Sequence, residues 1–138
     1  MKVKTFYEVE VWQLAIDLAE RIYKFCKFLP TEERFVLCDQ MRRSSSSIAF
    51  NIAEGQKRFS TKDFIRFLSI ARGSLGELLT QLILCNRIGY LPEEDFLRAK
   101  KRCEIIDIKL YNLAKSLSHK TDRNKIISAT NKKSQKNN

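Results

Sequence analysis

The stretch RRSSSSIAFNIAEGQKR, residues 42–58, gathers the side chains of this chain that are best suited to chemistry. It holds four serines, Asn51 and Glu54 between two arginines and a closing lysine and arginine. Such a composition suits three kinds of site: a phosphate-binding loop, a nucleophilic serine, or a helix face whose small side chains admit a close neighbour. The residues around the serines decide among the three.

A nucleophilic serine needs a base beside it, and this stretch supplies none. No histidine is near the four serines, no lysine follows them in an S-x-x-K pattern, and no G-x-S-x-G turn is present. The G-x-x-x-x-G-K-[ST] pattern of a phosphate-binding loop is also missing. We therefore expect no enzyme and no catalytic residue, and we interpret the serines as spacers where two helices approach closely.

Asn51 and Glu54 would lie beside apolar positions if this stretch is helical. A part-buried carboxylate needs a cation or several hydrogen-bond donors. Three arginines are candidate partners: Arg42, Arg43 and Arg72. Acid–base catalysis would want a second carboxylate opposite Glu54, and although Glu77 could be near, nothing in the spacing requires it. We interpret Asn51, Glu54, Arg72 and Glu77 as structural polar residues, which leaves open whether Asn51 and Glu54 do more.

The four cysteines form no metal-binding pattern. Cys26, Cys38, Cys85 and Cys103 lie far apart without a CxxC pair, and His119 is the single histidine of the chain. We expect reduced thiols that act as small core residues, with no metal and no cofactor.

Helices are the regular elements that the apolar spacing predicts. Only 4 Gly and 2 Pro occur, and no segment keeps the alternation of a strand. The pattern predicts four helices: about 9–29, about 31–54 with Gly55 as C-cap, from the Ser60 cap to Gly89, and from Pro92 to Leu117. Because short connections return each helix beside the last, we predict an all-α, up-down-up-down antiparallel four-helix bundle over residues 1–117. In the third helix, Gly73 and Gly76 predict a close helix contact.

The charge of the chain favours polyanionic partners. Lys and Arg number 26 against 16 Asp and Glu, a formal net charge of +10. About half of the excess lies in residues 118–138, which are polar and predict a flexible, disordered tail. Arg58, Lys62 and Arg66 would form one basic ridge if the third helix began slightly early. The predicted phosphate contacts are Arg42, Arg43, Lys57, Arg58, Lys62, Arg66, Lys120, Arg123, Lys125, Lys132, Lys133 and Lys136. The alternative is a solvated surface on an interaction scaffold that binds no nucleic acid.

The sequence predicts a cytoplasmic protein with no membrane partner. The first residues lack the apolar core of a signal peptide, and no stretch approaches the roughly 20 uninterrupted apolar residues of a membrane span.

Four segments resemble a known family: VWQLAIDLAERIY, ERFVLCDQMRRSSSSIAFNIAEGQKR, DFIRFLSIARGSLGELLTQL and GYL. In this order, over roughly residues 6–117, they are similar to the small bacterial four-helix-bundle proteins encoded in intervening sequences of 23S ribosomal RNA genes. The patterns SIxxNIAEG and IARGSLxE carry the resemblance. Phe50 stands where family members often have a smaller residue, and the tail after Leu117 matches no family pattern.

The resemblance implies a ring-like homo-oligomer, a pentamer. It also implies kinship with the accessory proteins of diversity-generating retroelements, which bind nucleic acid and a reverse transcriptase, although the family supplies no defined activity. A second apolar row on the first helix, Trp12, Ile16, Ala19 and Tyr23, is the predicted interface between copies.

Overall fold

The structure is a computed structural model that describes residues 5–6 and 9–137. Within them lie four α-helices, a short 3-10 helix at Thr31–Glu33 and no strand. The α-helices are α1 (Glu10–Cys26), α2 (Leu37–Lys57), α3 (Thr61–Ile88) and α4 (Glu93–Lys136). The predicted all-α class with four helices is confirmed.

Two of the predicted helix boundaries are confirmed by their capping groups. The Ser60 hydroxyl accepts a hydrogen bond from the backbone N–H of Asp63 at 3.1 Å, and α3 begins directly after this cap. Gly89 ends α3 in the left-handed conformation, with φ +97°, and its N–H donates to the carbonyls of Cys85 and Asn86.

The predicted cap at Gly55 is wrong, because α2 continues through Gly55 to Lys57. Gly55 serves the contact with α3 instead. A Cβ atom on Gly55 would lie 2.7 Å from Cβ of Phe67 and 2.9 Å from Cδ2 of Phe64. The glycine is therefore the residue that lets α2 and α3 meet near their connection.

The helices pack in antiparallel register. Ser44 lies opposite Gln81 and Ser47 lies opposite Ser74, so α3 descends as α2 ascends. Arg72 of α3 contacts Asp107 of α4, and Glu10 at the start of α1 contacts Lys109 of α4. These contacts close the four helices into a bundle.

The core is apolar and draws on all four helices. Fully buried side chains include Ala15, Met41, Ile48, Ile52, Leu68, Leu78, Leu82, Ile106 and Leu110. The four cysteines are free and buried, which confirms their predicted place in the core.

Gly73 and Gly76 do not make the predicted close contact within this chain. Both are exposed, and a Cβ atom on either would meet nothing within 4 Å. The glycines lie on the side of α3 that faces away from the core residues Ala71 and Leu75, which is why no neighbouring helix reaches them.

The C-terminal segment differs from the predicted flexible tail, because α4 continues as a helix to Lys136. Residues 118–136 contain no Gly and no Pro, so nothing in this segment breaks the helix that precedes it. Leu117 is the last side chain of α4 that packs against the core, and every residue from Asp122 to Asn137 is exposed. The segment is thus a helical arm, residues 118–136, that extends beyond the bundle. The division of the chain into domains at residue 117 stays a prediction.

The second apolar row of α1 is largely used inside the chain. Ala19 is buried, Trp12 and Ile16 are half-buried against the core, and only Tyr23 is exposed, at 45%. The guanidinium of Arg42 on α2 lies 5.8 Å from the centre of the Tyr23 ring. Tyr23 therefore faces α2, and the burial of the other three side chains reduces the surface that the row could offer to a second copy.

By length and composition alone, α3 could cross a membrane, and within the described residues no other helix passes that test. The observation is weak, because core helices of soluble proteins pass the same test. In this structure α3 packs between α2 and α4. The absence of a membrane partner stays a prediction.

Candidate nucleic-acid interface

The serine run lies at the contact between α2 and α3. Ser45 is fully buried and Ser44 is 2% exposed. Ser44 donates to Oε1 of Gln81 at 2.7 Å, and the hydroxyls of Ser47 and Ser74 share a hydrogen bond at 2.9 Å. The expected placement at a helix contact is confirmed for Ser44 and Ser47. The hydroxyls of Ser45 and Ser46 donate to the carbonyl of Arg42 in their own helix.

Asn51 holds the same contact. Its Nδ2 donates to the carbonyl of Ser47 at 2.8 Å and to the Ser47 hydroxyl at 2.9 Å. Asn51 therefore orients Ser47 toward Ser74, which is a structural role that fixes the register of α2 and α3.

Glu54 is not the buried carboxylate that the sequence suggested. It is exposed and pairs with Arg58, one turn further along, at 2.6 Å. Because the helix face that carries Glu54 points to solvent, the carboxylate does not meet the predicted partners on α2 and α3.

The structure does not bring Glu54 and Glu77 together. Since Ser74 lies opposite Ser47 and Gln81 lies opposite Ser44, Glu77 lies level with residues 44–48, and Glu54 is further along α2 by a helical rise of about 9–15 Å. Within residues 5–6 and 9–137, no group of three or more His, Cys, Asp or Glu side chains could hold a metal ion.

Arg72 has a partner that sequence reasoning missed. Its Nε and one terminal nitrogen donate to Asp107 at 2.8 and 3.4 Å, and its guanidinium lies 5.3 Å from the Tyr111 ring centre. The hydrogen bond to Asp107 is the main reason why the pKa of Arg72 lies above the ordinary value of an arginine. Asp107 directly follows the core residue Ile106 on α4. An acidic side chain at that position was the sequence signal that could have predicted this pair.

Burial makes the core thiols poor nucleophiles. Desolvation raises the pKa of Cys103 and of Cys26 to about 12, and that of Cys85 to about 11. Since the thiolate is the reactive form, these cysteines are protonated and inert near neutral pH.

The predicted basic ridge of Arg58, Lys62 and Arg66 is wrong as a single helix face. Arg58 is the C-cap of α2, whereas Lys62 and Arg66 belong to α3, which begins only at Thr61. The turn nevertheless gathers these cations. The guanidiniums of Arg58 and Arg66 lie 5.0 and 4.6 Å from the centre of one ring, that of Phe67.

Arg42 and Arg43 lie apart from this turn. They precede Arg58 on α2 by about four turns of helix, a rise of more than about 20 Å. Arg42 is half-buried beside Asp39, at 3.7 Å, while Arg43 is exposed and, in the part of the chain that the structure describes, has no ion-pair partner.

The helical arm begins at the same end of the bundle as the turn between α2 and α3. Since Arg72 lies opposite Asp107, the antiparallel register brings Thr61 level with residue 118. The arm carries Lys120, Arg123, Lys125, Lys132, Lys133 and Lys136, all exposed, against one carboxylate, Asp122. None of these six cations makes an ion pair with any residue that the structure describes.

Phe59 is a further feature of this end of the molecule. It lies between Arg58 and the Ser60 cap, and its side chain is fully exposed. An aromatic ring in solvent between cationic residues can stack on a nucleic-acid base. We call Lys57, Arg58, Phe59, Lys62 and Arg66 the basic turn.

Comparison with known proteins places the chain in a family. Residues 7–112 match the 23S rRNA-intervening sequence protein family. The fold is similar to a crystal structure from Bacteroides thetaiotaomicron, a protein with unknown function from the S23 ribosomal protein family, at 32% sequence identity and a TM-score of 0.71. That match covers 76% of this chain and 95% of the other. No curated protein matches the chain significantly. With more than half of its length matched, the chain belongs to the 23S rRNA-intervening sequence protein family.

Proposed function

We propose that the protein is a non-enzymatic, basic helical bundle that binds nucleic acid, mainly through phosphate contacts. The observation that carries the proposal is the position of the helical arm and the basic turn at one end of the bundle. Together they hold ten of the twelve cations predicted from sequence, and Arg42 and Arg43 are the two that lie elsewhere.

The arm is suited to phosphates because its charge is unneutralised. Residues 119–136 would extend about 27 Å as a helix and carry six cations against one carboxylate. Because these cations are exposed and lack ion pairs within the described chain, each is available to displace a counterion from a nucleic-acid backbone.

The basic turn would add a smaller share of the binding. Lys57 and Lys62 make no ion pair with the described residues, whereas Arg58 and Arg66 lie at 2.6 and 3.9 Å from Glu54 and Asp63. Phe59 would stack on an unpaired base, which favours a single strand over a duplex. Only one aromatic ring is available there, so we expect weak sequence preference.

RNA is the first ligand to test. The names of the family and of the solved relative refer to ribosomal RNA and to a ribosomal protein family. A role as a ribonucleoprotein component, or as the accessory of a reverse transcriptase, would use the same surface.

We also propose that the protein assembles into a ring-like homo-oligomer, a pentamer by resemblance. A ring would place several arms and basic turns around one axis and multiply the positive potential at that end. Light scattering at micromolar concentration tests the assembly, and a monomer would contradict it.

The binding test is fluorescence anisotropy with short labelled RNA and DNA, single-stranded and duplex, over a series of salt concentrations. We expect the binding constant to fall with salt, with a log–log slope of about −0.7 per phosphate contacted on a single strand. Absence of binding to every strand at about 50 mM salt, where the electrostatic contribution is strong, would overturn the proposal.

A second candidate function is an interaction scaffold that binds no nucleic acid. The observation that favours it is a group of apolar side chains at the opposite end of the bundle, where Phe28, Phe35 and Val36 are 85%, 79% and 60% exposed. Exposed apolar groups of this kind mark protein contacts more often than nucleic-acid contacts. A scaffold would retain a protein partner through this end and show no salt-dependent RNA binding.

A further inference from the structure

A groove separates α1 from α4 near the turn between α3 and α4. The groove is open to solvent on one side and has a volume of about 460 Å³. This volume lies within the range of small-molecule sites, roughly 300–1,000 Å³. Of the four sides at which neighbouring helices meet, this is the one where the helices are joined least closely.

The floor of the groove is apolar. The lining side chains without polar atoms include Leu18, Ile22, Phe25, Leu82, Leu91 and Ala99. Leu18, Ile22, Leu82 and Leu91 belong to the buried core, so the floor is held rigidly by the bundle. It is suited to an aliphatic chain or an aromatic ring.

The rim of the groove is cationic on both walls. Arg21 and Lys24 line it from α1, and Arg98 and Arg102 line it from α4, against the single carboxylate of Asp95. Cations on both walls above an apolar floor suit an amphipathic anion, provided that some of these cations are not already paired.

Two of these four cations are already neutralised. Lys24 pairs with Glu20 at 3.2 Å. Arg98 pairs with Asp95 and, at 3.6 Å, with Glu94.

Arg21 and Arg102 remain, one on each wall. Among the residues that the structure describes, neither of them makes an ion pair. A guanidinium can hold a carboxylate with two parallel hydrogen bonds, so each wall offers such a contact.

We propose that this groove binds an amphipathic carboxylate, with its apolar body on the floor between α1 and α4 and its carboxylate held by Arg21 and Arg102. The proposal is independent of nucleic-acid binding, since the groove approaches the turn between α3 and α4, whereas the arm leaves the other end of the bundle. The occupant belongs to the chemical class of medium-chain and long-chain fatty acids.

Isothermal titration calorimetry of the full chain with dodecanoate tests the proposal. Dodecyltrimethylammonium, which has the same chain with a cationic head, is the matched ligand. We expect one dodecanoate per chain at moderate salt and at least tenfold weaker binding of the cation. Equal affinities for the two ligands, or no binding of dodecanoate, would overturn the proposal.

Variants locate the site. R21A and R102A should each weaken dodecanoate binding about tenfold, as expected for a hydrogen bond to a charged group. R87A, which removes an exposed arginine outside the groove, should bind as the native chain does. If R21A and R102A also bind as the native chain does, the carboxylate is not held there and the proposal fails.

A99W fills the cavity from the α4 wall and should abolish dodecanoate binding. Its fold is checked by circular dichroism, and if A99W does not fold, the two arginine variants decide the matter alone. Retained binding in a folded A99W would contradict the proposal. A different result would overturn the proposal in favour of a protein occupant. If the native chain is an oligomer that binds no dodecanoate, and A99W no longer forms that oligomer, a segment of a second copy occupies the groove.

Discussion

Ser47 and Ser74 share a hydrogen bond across the α2–α3 contact, with their Oγ atoms 2.9 Å apart. Asn51 fixes Ser47 from the next turn of α2, and Ser44 repeats the arrangement with Gln81 one turn earlier. A contact made of small hydroxyl side chains keeps the two helices close and leaves the serines no freedom for other chemistry. Packing therefore explains Ser47, Asn51 and Ser74 of the family patterns.

Replacing Ser45 with leucine should destabilise the bundle. Ser45 has no exposed surface, so a larger side chain must displace core neighbours, at a cost of about 1–3 kcal/mol. Urea unfolding followed by circular dichroism measures the change. S46L is the matched control, because Ser46 is half-buried and its side chain can turn toward solvent. Equal unfolding midpoints for the native chain and S45L would show that the serine run is not a packing contact.

Three glycines should respond to alanine with opposite signs. G55A should lower the free energy of unfolding by about 1–3 kcal/mol, because its Cβ would lie 2.7 Å from that of Phe67. G73A and G76A should each raise it by about 0.5–1 kcal/mol, since alanine favours the helix and meets nothing within 4 Å. Denaturant unfolding of the three variants gives the comparison. Destabilisation by G73A or G76A, with a change in oligomeric state, would indicate that a second copy packs on that face.

The Arg72–Asp107 pair should make a small contribution to stability. Both side chains are more than 40% exposed, so we expect a coupling energy of about 0.2–1 kcal/mol, reduced by salt. A double-mutant cycle with R72A, D107A and the combined variant measures it. A coupling energy of zero would mean that the pair orients α3 and α4 but does not stabilise their packing.

Alkaline pH should destabilise the fold through its thiols. Burial raises the pKa of Cys103 from 9.0 to about 12, so the folded chain keeps the thiol protonated while the unfolded chain ionises it. The stabilisation is full below pH 9 and is lost progressively as the pH rises toward 12. Denaturant unfolding between pH 7 and pH 11 should therefore show a steeper fall in stability for the native chain than for C103V. Parallel curves for the two proteins would contradict the expectation.

Apolar spacing and capping residues were enough to predict the four helices and two of their ends. Ser60 and Gly89 could be identified because a side-chain cap and a left-handed glycine depend on local chemistry alone. Gly55 could not, because its role is set by Phe64 and Phe67, which reach it only after α3 has folded back. The prediction of a close helix contact at Gly73 and Gly76 was wrong for the same reason. A single sequence does not show which face of a helix has a neighbour.

The candidate site was predicted in part. Composition identified the basic turn and the arm. It did not show that Arg58 ends α2 while Lys62 and Arg66 lie on α3, so that the three cations do not form one helix face. The arm was expected to be flexible because its residues are mostly polar. Its helix follows instead from the absence of any residue that would end α4 after Leu117.

Neutralising the arm should weaken nucleic-acid binding more than removing the same charge elsewhere. Lys125, Lys132 and Lys136 lie seven and four residues apart, so they share one face of the arm and can follow one strand. The triple variant K125A/K132A/K136A should lower affinity for all strands alike and flatten the salt slope by about 2, at about 0.7 for each lost phosphate contact on a single strand. The matched control removes Lys27, Arg34 and Arg87, three exposed cations at the opposite end of the bundle. Equal losses in the two triple variants, measured by anisotropy over a salt series, would mean that net charge alone binds the strand and that the arm has no special part.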